Sequence, residues 1–433
     1  MFRIRPKHGL VKEMLSLRVS ANGEIHIYGM PALTKIGSQY IATLTKHADN
    51  GHSPRPFAAQ TLNMRAAPST IMRNRAITTM AYNTLILGAS YGSLLAIKML
   101  LAGHNAKLVC LPEEADLINN EGQKVRMPIR GRDDLVEIDS RKLPGKISAA
   151  APGDVDPKDF DLIALAMQEP QYRSPGVREL LDKIGKSGVP VMSIMNMPPL
   201  PYLKRIPGLD TNPLIKCFTD ASVWDSFNPD LITLCSPDPQ AFRPPEEKTN
   251  ILQVSLPTNF KAARFTSDEH TAILRELQAD IEAVRFDVDG QSIELPVKLK
   301  VHDSVFVPLA KWSMLLTGNY RCVQKNGMRP IREAVHDDID ASRAVYNFVN
   351  ELVRSMGADP ADQVPFEKYA AAANGLGKPS SAARALDAGA PNIERADCLV
   401  NTIAGQKGMK YPLVEQTVAL VDGWLAKNRS KAS

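Results

Sequence analysis

Residues Tyr82 to His104, YNTLILGASYGSLLAIKMLLAGH, run from an apolar β-type segment through a tight glycine turn into an amphipathic helix. A nucleotide-binding βαβ unit is built in that order. Glycines let the backbone approach a pyrophosphate, and the helix N-terminus offers it free N–H groups and the positive end of a dipole. Ala106 to Leu111 (AKLVCL) reads as the second strand and completes a right-handed unit. The turn, Gly88, Ala89, Ser90, Tyr91 and Gly92, departs from GxGxxG: a serine stands at the second glycine, and the last glycine comes one residue early. The same five residues also spell GxSxG, the nucleophile elbow of an α/β-hydrolase, with Ser90 as nucleophile. That alternative needs a downstream histidine, and His270, His302 and His336 lack a turn-like setting near the C-terminus. The dinucleotide reading leads and the elbow stays open.

Glu113 and Glu114 stand about twenty residues past the turn, where an acidic side chain accepts hydrogen bonds from an adenosine ribose. Their presence leans toward NAD over NADP, whose extra phosphate calls for an arginine. The strand end itself carries Leu111. Further strands are expected at Phe160 to Ala166 and Val189 to Met195, with a helix near Val177 to Ile184 between them. Ligands of open α/β sheets bind beyond the carboxyl ends of strands, so the loops carrying Gln168, Gln171 and Asn196 should face the nicotinamide half of such a cofactor. Leu231 to Cys235 and Asn250 to Ser255 read as later strands of the same sheet. From Val305 the pattern becomes helical: Phe306 to Leu316 is apolar, Ala344 to Met356 places Val345, Phe348, Val349, Leu352 and Val353 at helical spacing, and Lys410 to Leu425 repeats it. The expected fold is α/β, a Rossmann-type doubly wound sheet over 81–304, followed by an all-α domain over 305–433.

At 433 residues the chain exceeds one ordinary core. Its net charge of +5 is unevenly spread. Residues 1–80 hold 11 Lys/Arg against Glu13, Glu24 and Asp49, a balance of +8, which leaves −3 for the remainder. This basic segment lacks clustered basic runs and interleaved aromatics, so nothing in it favours nucleic acid. It reads as a disordered or loosely packed extension, resembling a transit peptide in composition, or an upstream addition before Met80. The five cysteines, Cys110, Cys217, Cys235, Cys322 and Cys398, form no CxxC pair, and no His/Cys cluster has metal spacing. No run approaches the roughly 18 apolar residues of a membrane span. A cytoplasmic location, no metal and no membrane partner are expected.

The order of these elements, from about Ala81 to Leu425, resembles the ketopantoate reductases. Four places carry the resemblance: the glycine turn with Ala102-Gly103-His104 after it; Met195-Asn196; Lys311-Trp312 through Asn319; and Lys378-Pro379-Ser380-Ser381 followed by Asn392-Ile393-Glu394-Arg395-Ala396-Asp397. The resemblance implies a Rossmann domain before a helical domain like that of 6-phosphogluconate dehydrogenase, reduction of a 2-keto acid or similar carbonyl by NAD(P)H, and a homodimer through the helical domain. It places Lys311 as general acid, Asn319 to hold the substrate carboxylate or the lysine, Asn196 to fix the nicotinamide side or the lysine, and Ser380 against the substrate. An ungapped match puts Asn392 where the family has its substrate-binding glutamate, and Glu394 takes that place if the loop is two residues longer. Leu315 stands where the family usually has another asparagine, and Gln168 replaces a lysine near the cofactor, so the implied reaction class is firmer than ketopantoate as substrate. Opine-type dehydrogenases share the two-domain plan and differ by reducing an imine.

Overall fold

The computed structural model of the protein describes residues 16–19, 25–28 and 81–432. Ser16–Val19 and Ile25–Tyr28 pair antiparallel within a compact unit, Met1–Ala76. The rest of the extension read over residues 1–80 lies outside the described residues. Residues 77–433 form the second unit.

Strand β1 (Asn83–Leu87) is buried from Thr84 onward, with Leu85 and Leu87 in one core and Ile86 in another. Burial on both faces is why Leu85 to Leu87 are apolar without a break. The chain turns at Gly88 into helix α1 (Gly92–Leu101), buried along its whole length, and stops at Gly103, whose φ is +89°. Strand β2 (Asn105–Val109) then returns parallel to β1. The sheet continues with β3 (Ile147–Ala150), β4 (Leu162–Leu165), β5 (Val191–Ile194), β6 (Ile232–Ser236), β7 (Phe260–Ala263) and β8 (Leu299–His302). Across the sheet the order is β8-β7-β6-β5-β4-β1-β2-β3, parallel except between β6 and β7. The strand order reverses between β1 and β4, the switch point at which doubly wound sheets open a ligand crevice.

Gly88 sits at that point with φ +105°, and a Cβ on it would meet Met167 Cγ at 2.7 Å and the Ala166 carbonyl oxygen at 2.8 Å. A Cβ on Gly92 would come within 2.5 Å of Ile86 Cγ2. Only glycine fits either place. Gly88→Ala is expected to cost about 1–3 kcal/mol through the left-handed backbone and the clash. Thermal unfolding checks this, and an unchanged midpoint would show that the turn relaxes freely.

One strand departs from the sequence reading. The segment expected at Asn250 to Ser255 as part of the main sheet is Ile251–Leu256, in a separate four-stranded sheet with Gln240–Phe242, Lys124–Pro128 and Leu135–Asp139. Its burial alternates, with Leu252 and Val254 inside and Ser255 exposed. That suits a sheet with one wet face and not the doubly covered main sheet.

The apolar stretch Phe306 to Leu316 is not one regular helix. A 3₁₀ turn, Val307–Ala310, leads into α2 (Lys311–Met314), and the chain then takes a π-helical turn over Leu315–Asn319. Ile331–His336, α3 (Ile339–Ser355), Phe366–Ala373, α4 (Ser381–Asp387), α5 (Ala396–Gln406) and α6 (Pro412–Ala432) follow. In α3 Val345, Val349, Leu352 and Val353 are buried as the period predicts. No helix among the described residues is long and apolar enough to cross a membrane.

Candidate functional site

Beyond the carboxyl ends of β4 and β5 lies a crevice of about 70 Å³, lined among others by Gln168, Asn196, Leu315, Asn319, Ile393 and Glu394. The sheet supplies Gln168 and Asn196, on loops that leave its strands where the fold opens. The helical half supplies the others.

Glu394 is buried, 9% exposed, on a strap between α4 and α5. Tyr320 fixes the strap: its hydroxyl donates to the Glu394 carbonyl oxygen at 2.6 Å and accepts from Ala396 N–H at 3.0 Å. Arg395 anchors the next residue in ion pairs with Asp397 and Asp422, at 2.9 and 2.7 Å. The Glu394 carboxylate accepts from Asn196 Nδ2 at 3.3 Å and from Glu169 N–H at 3.4 Å. Burial pushes Glu394 up to about 7, against the opposing pull of those two donors. Near neutrality this carboxyl can both give and take a proton. Asn196 keeps its Oδ1 buried without a hydrogen-bond partner. Such an atom costs free energy unless a ligand satisfies it.

Lys311 begins α2 and is 16% exposed at its side chain. Its Nζ lies 3.3 Å from Asp238 Oδ1, and Asp238 also pairs with Lys261 at 2.8 Å and accepts from Ser236 Oγ. Asp238 follows β6, so the ammonium is held at the carboxyl edge of the sheet. Burial pushes the Asp238 carboxyl up, but Lys311, Lys261 and the serine outweigh it and hold it below the usual carboxylate range. Next to it the glycine turn closes, since Tyr91 donates its hydroxyl to the Pro239 carbonyl oxygen at 2.8 Å.

In an unbroken α-helix, eight residues overshoot two turns by about one position. The π turn after Met314 absorbs the extra residue, so Asn319 falls where the i+7 position of a regular helix would lie, nearly in line with Lys311. The carbonyl of Met314 accepts from the Tyr369 hydroxyl at 3.1 Å, which steadies the irregular turn.

Other residues singled out in the sequence lie differently. Ser380 is the N-cap of α4: its hydroxyl accepts from Ala383 N–H at 3.1 Å and donates to the Asn319 carbonyl oxygen at 2.7 Å, so it holds the backbone of a crevice residue. Asn392 lies outside the crevice and accepts from Arg429 at 3.2 Å. Glu394, two residues further on, lines the crevice instead. Glu113 is exposed on the first turn of the helix Pro112–Glu121, and Glu114 beside it is ion-paired with Arg243. Gln168 starts a capped turn, its own N–H donating to Gln171 Oε1 at 2.9 Å. Ala89 is buried, whereas Ser90 is exposed and its φ is not positive, unlike the strained serine of an elbow. His336 is bonded to the Ala370 carbonyl and His302 lies in β8. Among the described residues no histidine is a hydrogen-bond partner of Ser90.

Asp238, Lys261, Tyr320, Glu169 and Arg243 were not singled out in the sequence. Only Asp238 carried a local signal, a carboxylate two residues beyond a strand end.

The sequence matches no known family model and no curated protein. Solved structures do match. A 2-dehydropantoate 2-reductase from Methylococcus capsulatus aligns over 80% of this chain and 97% of its own, at 13% identity and a TM-score of 0.53. A ketopantoate reductase from Ralstonia eutropha aligns over 80% and 99%, at 15% identity and 0.51. A D-mandelate dehydrogenase, solved with NADH and anilino(oxo)acetate, aligns over 80% and 99%, at 14% identity and 0.53. The chain therefore has the fold of the ketopantoate reductases, a Rossmann-type sheet followed by a helical region.

Proposed function

We propose that the protein is a nicotinamide-dependent reductase of a small 2-keto acid or related carbonyl, working in the crevice between Asn196 and Glu394. The observation that carries this reading is the crevice itself, where a near-neutral carboxyl (Glu394) and an amide oxygen without a partner (Asn196 Oδ1) line one hollow with Asn319, and Asn319 lies on the same helical stretch as the half-buried Lys311. The three solved relatives support the class, one of them by the NADH in its structure.

The glycine turn fits a dinucleotide, because it joins β1 to the N-terminus of α1 at the switch point of the sheet, where backbone N–H groups can receive a pyrophosphate. When bound, the cofactor supplies the hydride. The chain's own residues do the rest. Lys311 places positive charge, and a proton to give, beside the oxygen on which charge develops. Asp238 positions that ammonium through their ion pair. Asn196 and Glu394 hold polar groups of the substrate, while Leu315 and Ile393 exclude water from one wall. At the adenosine end, Glu113, Glu114 and Arg243 sum to −1, which disfavours a phosphate on the ribose, so NAD is the favoured cofactor. A homodimer through the helical region belongs to the same reading.

Purified protein mixed with NADH or NADPH and a panel of 2-keto acids is expected to oxidise NADH faster, with no amine present. Strict dependence on an amine would turn the reading to imine reduction. Labelling of Ser90 by a fluorophosphonate, without carbonyl turnover, would turn it to hydrolysis.

A further inference from the structure

Behind the strap that carries Glu394 is a second cavity, of about 390 Å³, with Lys216, Cys217, Arg395, Cys398, Thr402 and Asp422 in its wall. Two of the five cysteines meet there. Cys217 ends the turn Asn212–Cys217, Cys398 lies in the first turn of α5, and their sulfurs are 3.3 Å apart, the Cys217 thiol donating to Cys398 Sγ. Thr402 Oγ1 stands 3.6 Å from Cys217 Sγ and donates to the Cys398 carbonyl oxygen at 2.7 Å. The sulfurs are 181 residues apart in the chain. Cys217 is buried and Cys398 is half-buried, so the cavity reaches Cys398 first.

Their chemical states differ. The hydrogen bond from Cys217 holds the Cys398 thiol down at about 7, against burial and with help from Arg395. The same hydrogen bond, together with burial, pushes the Cys217 thiol up. An attacking thiol works best when its thiolate is populated at ambient pH, and a resolving thiol must lie within reach of it.

We propose that Cys217 and Cys398 form a dithiol site that exchanges with small carboxylated disulfides and closes to an intramolecular disulfide, setting the position of Glu394. The Cys398 thiolate attacks one sulfur of the disulfide RS–SR; a Cys398–SR bond forms, the RS–SR bond breaks, and RS⁻ leaves to take up a proton. Cys217 then gives up its proton, and its thiolate attacks the Cys398 sulfur. The Cys217–Cys398 bond forms and a second RS⁻ leaves, to be protonated. Two protein thiols are oxidised and one disulfide is reduced to two thiols. The exposed Lys216 in the wall gives a carboxylate of such a molecule a cationic partner, whereas Arg395 is already paired with Asp397 and Asp422.

Closing the gap from 3.3 Å to about 2.05 Å moves one segment toward the other. Both segments bear on the crevice. Cys398 follows Glu394 by four residues, in the first turn of the helix into which the strap runs. Cys217 precedes Thr219, whose N–H and hydroxyl donate to the Glu169 carboxylate at 2.9 and 2.8 Å, and the Glu169 N–H in turn donates to Glu394. A shift of about 1 Å at such a group costs as much as about 10²-fold in rate.

The bond itself stands apart from the proposed reductase activity, and only its effect on turnover rests on that reading. The full chain is incubated with glutathione disulfide and analysed by intact mass and non-reducing peptide mapping. Expected are the loss of two hydrogens and a linked Cys217–Cys398 peptide, reversed by dithiothreitol. Cys217→Ser should trap the glutathionyl adduct on Cys398, and Cys398→Ser should show neither adduct nor link at this site. A persistent adduct on wild-type Cys398 with no link, or modification of Cys110 alone, overturns the proposal. Keto-acid turnover should fall about tenfold on oxidation and recover on reduction; equal turnover in both states, with the link formed, removes the coupling to Glu394. A link that forms in protein with no turnover in either state counts against the reductase reading and leaves the dithiol site standing.

Discussion

Lys311→Ala is expected to lower kcat for carbonyl reduction by about 10³-fold, within the range that positioned acid–base groups supply. The substitution removes the cation beside the developing oxyanion and the proton it would receive. The fold should survive, because Asp238 keeps Lys261 at 2.8 Å and the Ser236 hydroxyl, so no buried carboxylate is left bare. Cofactor affinity, read by quenching of tryptophan fluorescence, should change less than about twofold, since the glycine turn is untouched. The pattern of lost kcat with retained cofactor binding is the signature of an interaction made in the transition state. Full turnover by the variant would remove Lys311 from the chemistry. An unfolded variant would be visible in its melting curve and would be separated by Lys311→Arg, which keeps the ion pair but offers a proton only above pH 12.

The second large effect is one of pH. Glu394 has its carboxyl raised by burial to about 7, so the neutral form prevails below that pH and the anion above it. An anionic Glu394 repels the carboxylate of a 2-keto acid, and a neutral one donates to it. The value of kcat/KM for an anionic substrate should therefore fall about tenfold per pH unit above 7. Glu394→Gln keeps a donor, loses the titration, and should flatten that limb. The linkage sign for stability follows the same direction. A carboxyl that binds its proton more tightly in the folded chain than in the unfolded one stabilises the fold at low pH, and that contribution is lost as pH rises from the ordinary carboxylate range to about 7. A melting temperature that falls across this window in the wild type, and falls less in Glu394→Gln, checks it. A limb that persists in the variant assigns the titration to another group.

Much of the main sheet could be read directly from the chain. Leu85 to Leu87, Leu162 to Leu165 and, Ser193 apart, Val191 to Ile194 are apolar because both of their faces are covered, and the glycines at 88 and 92 stand where a Cβ would strike Met167, Ala166 and Ile86. Those are local causes with local signatures. The destination of Ile251–Leu256 was not legible, since a strand's partner, here Lys124–Pro128, is chosen across more than a hundred residues. The π turn was equally hidden, because its sequence, LLTGN, is compatible with an ordinary helix and the deviation is set by packing around Gly318 and Tyr369. In the crevice, the residues with a motif around them could be named from sequence, whereas those that hold them could not. Tyr320, Glu169 and Asp238 act through a carbonyl, an amide and an ion pair brought together only by folding. The cysteines looked scattered for the same reason: two of them meet across 181 positions of chain.

The irregular turn between Met314 and Asn319 also makes the spacing there a fixed quantity. One residue is spent on phase and not on length, so losing a single position here could be met by a regular helix with Asn319 still in line with Lys311, whereas adding one would swing every following side chain by roughly 100°. The crevice amide would then leave that line. Substitutions within LLTGN trade one side chain for another, but an added residue re-indexes the whole C-terminal layer against the sheet.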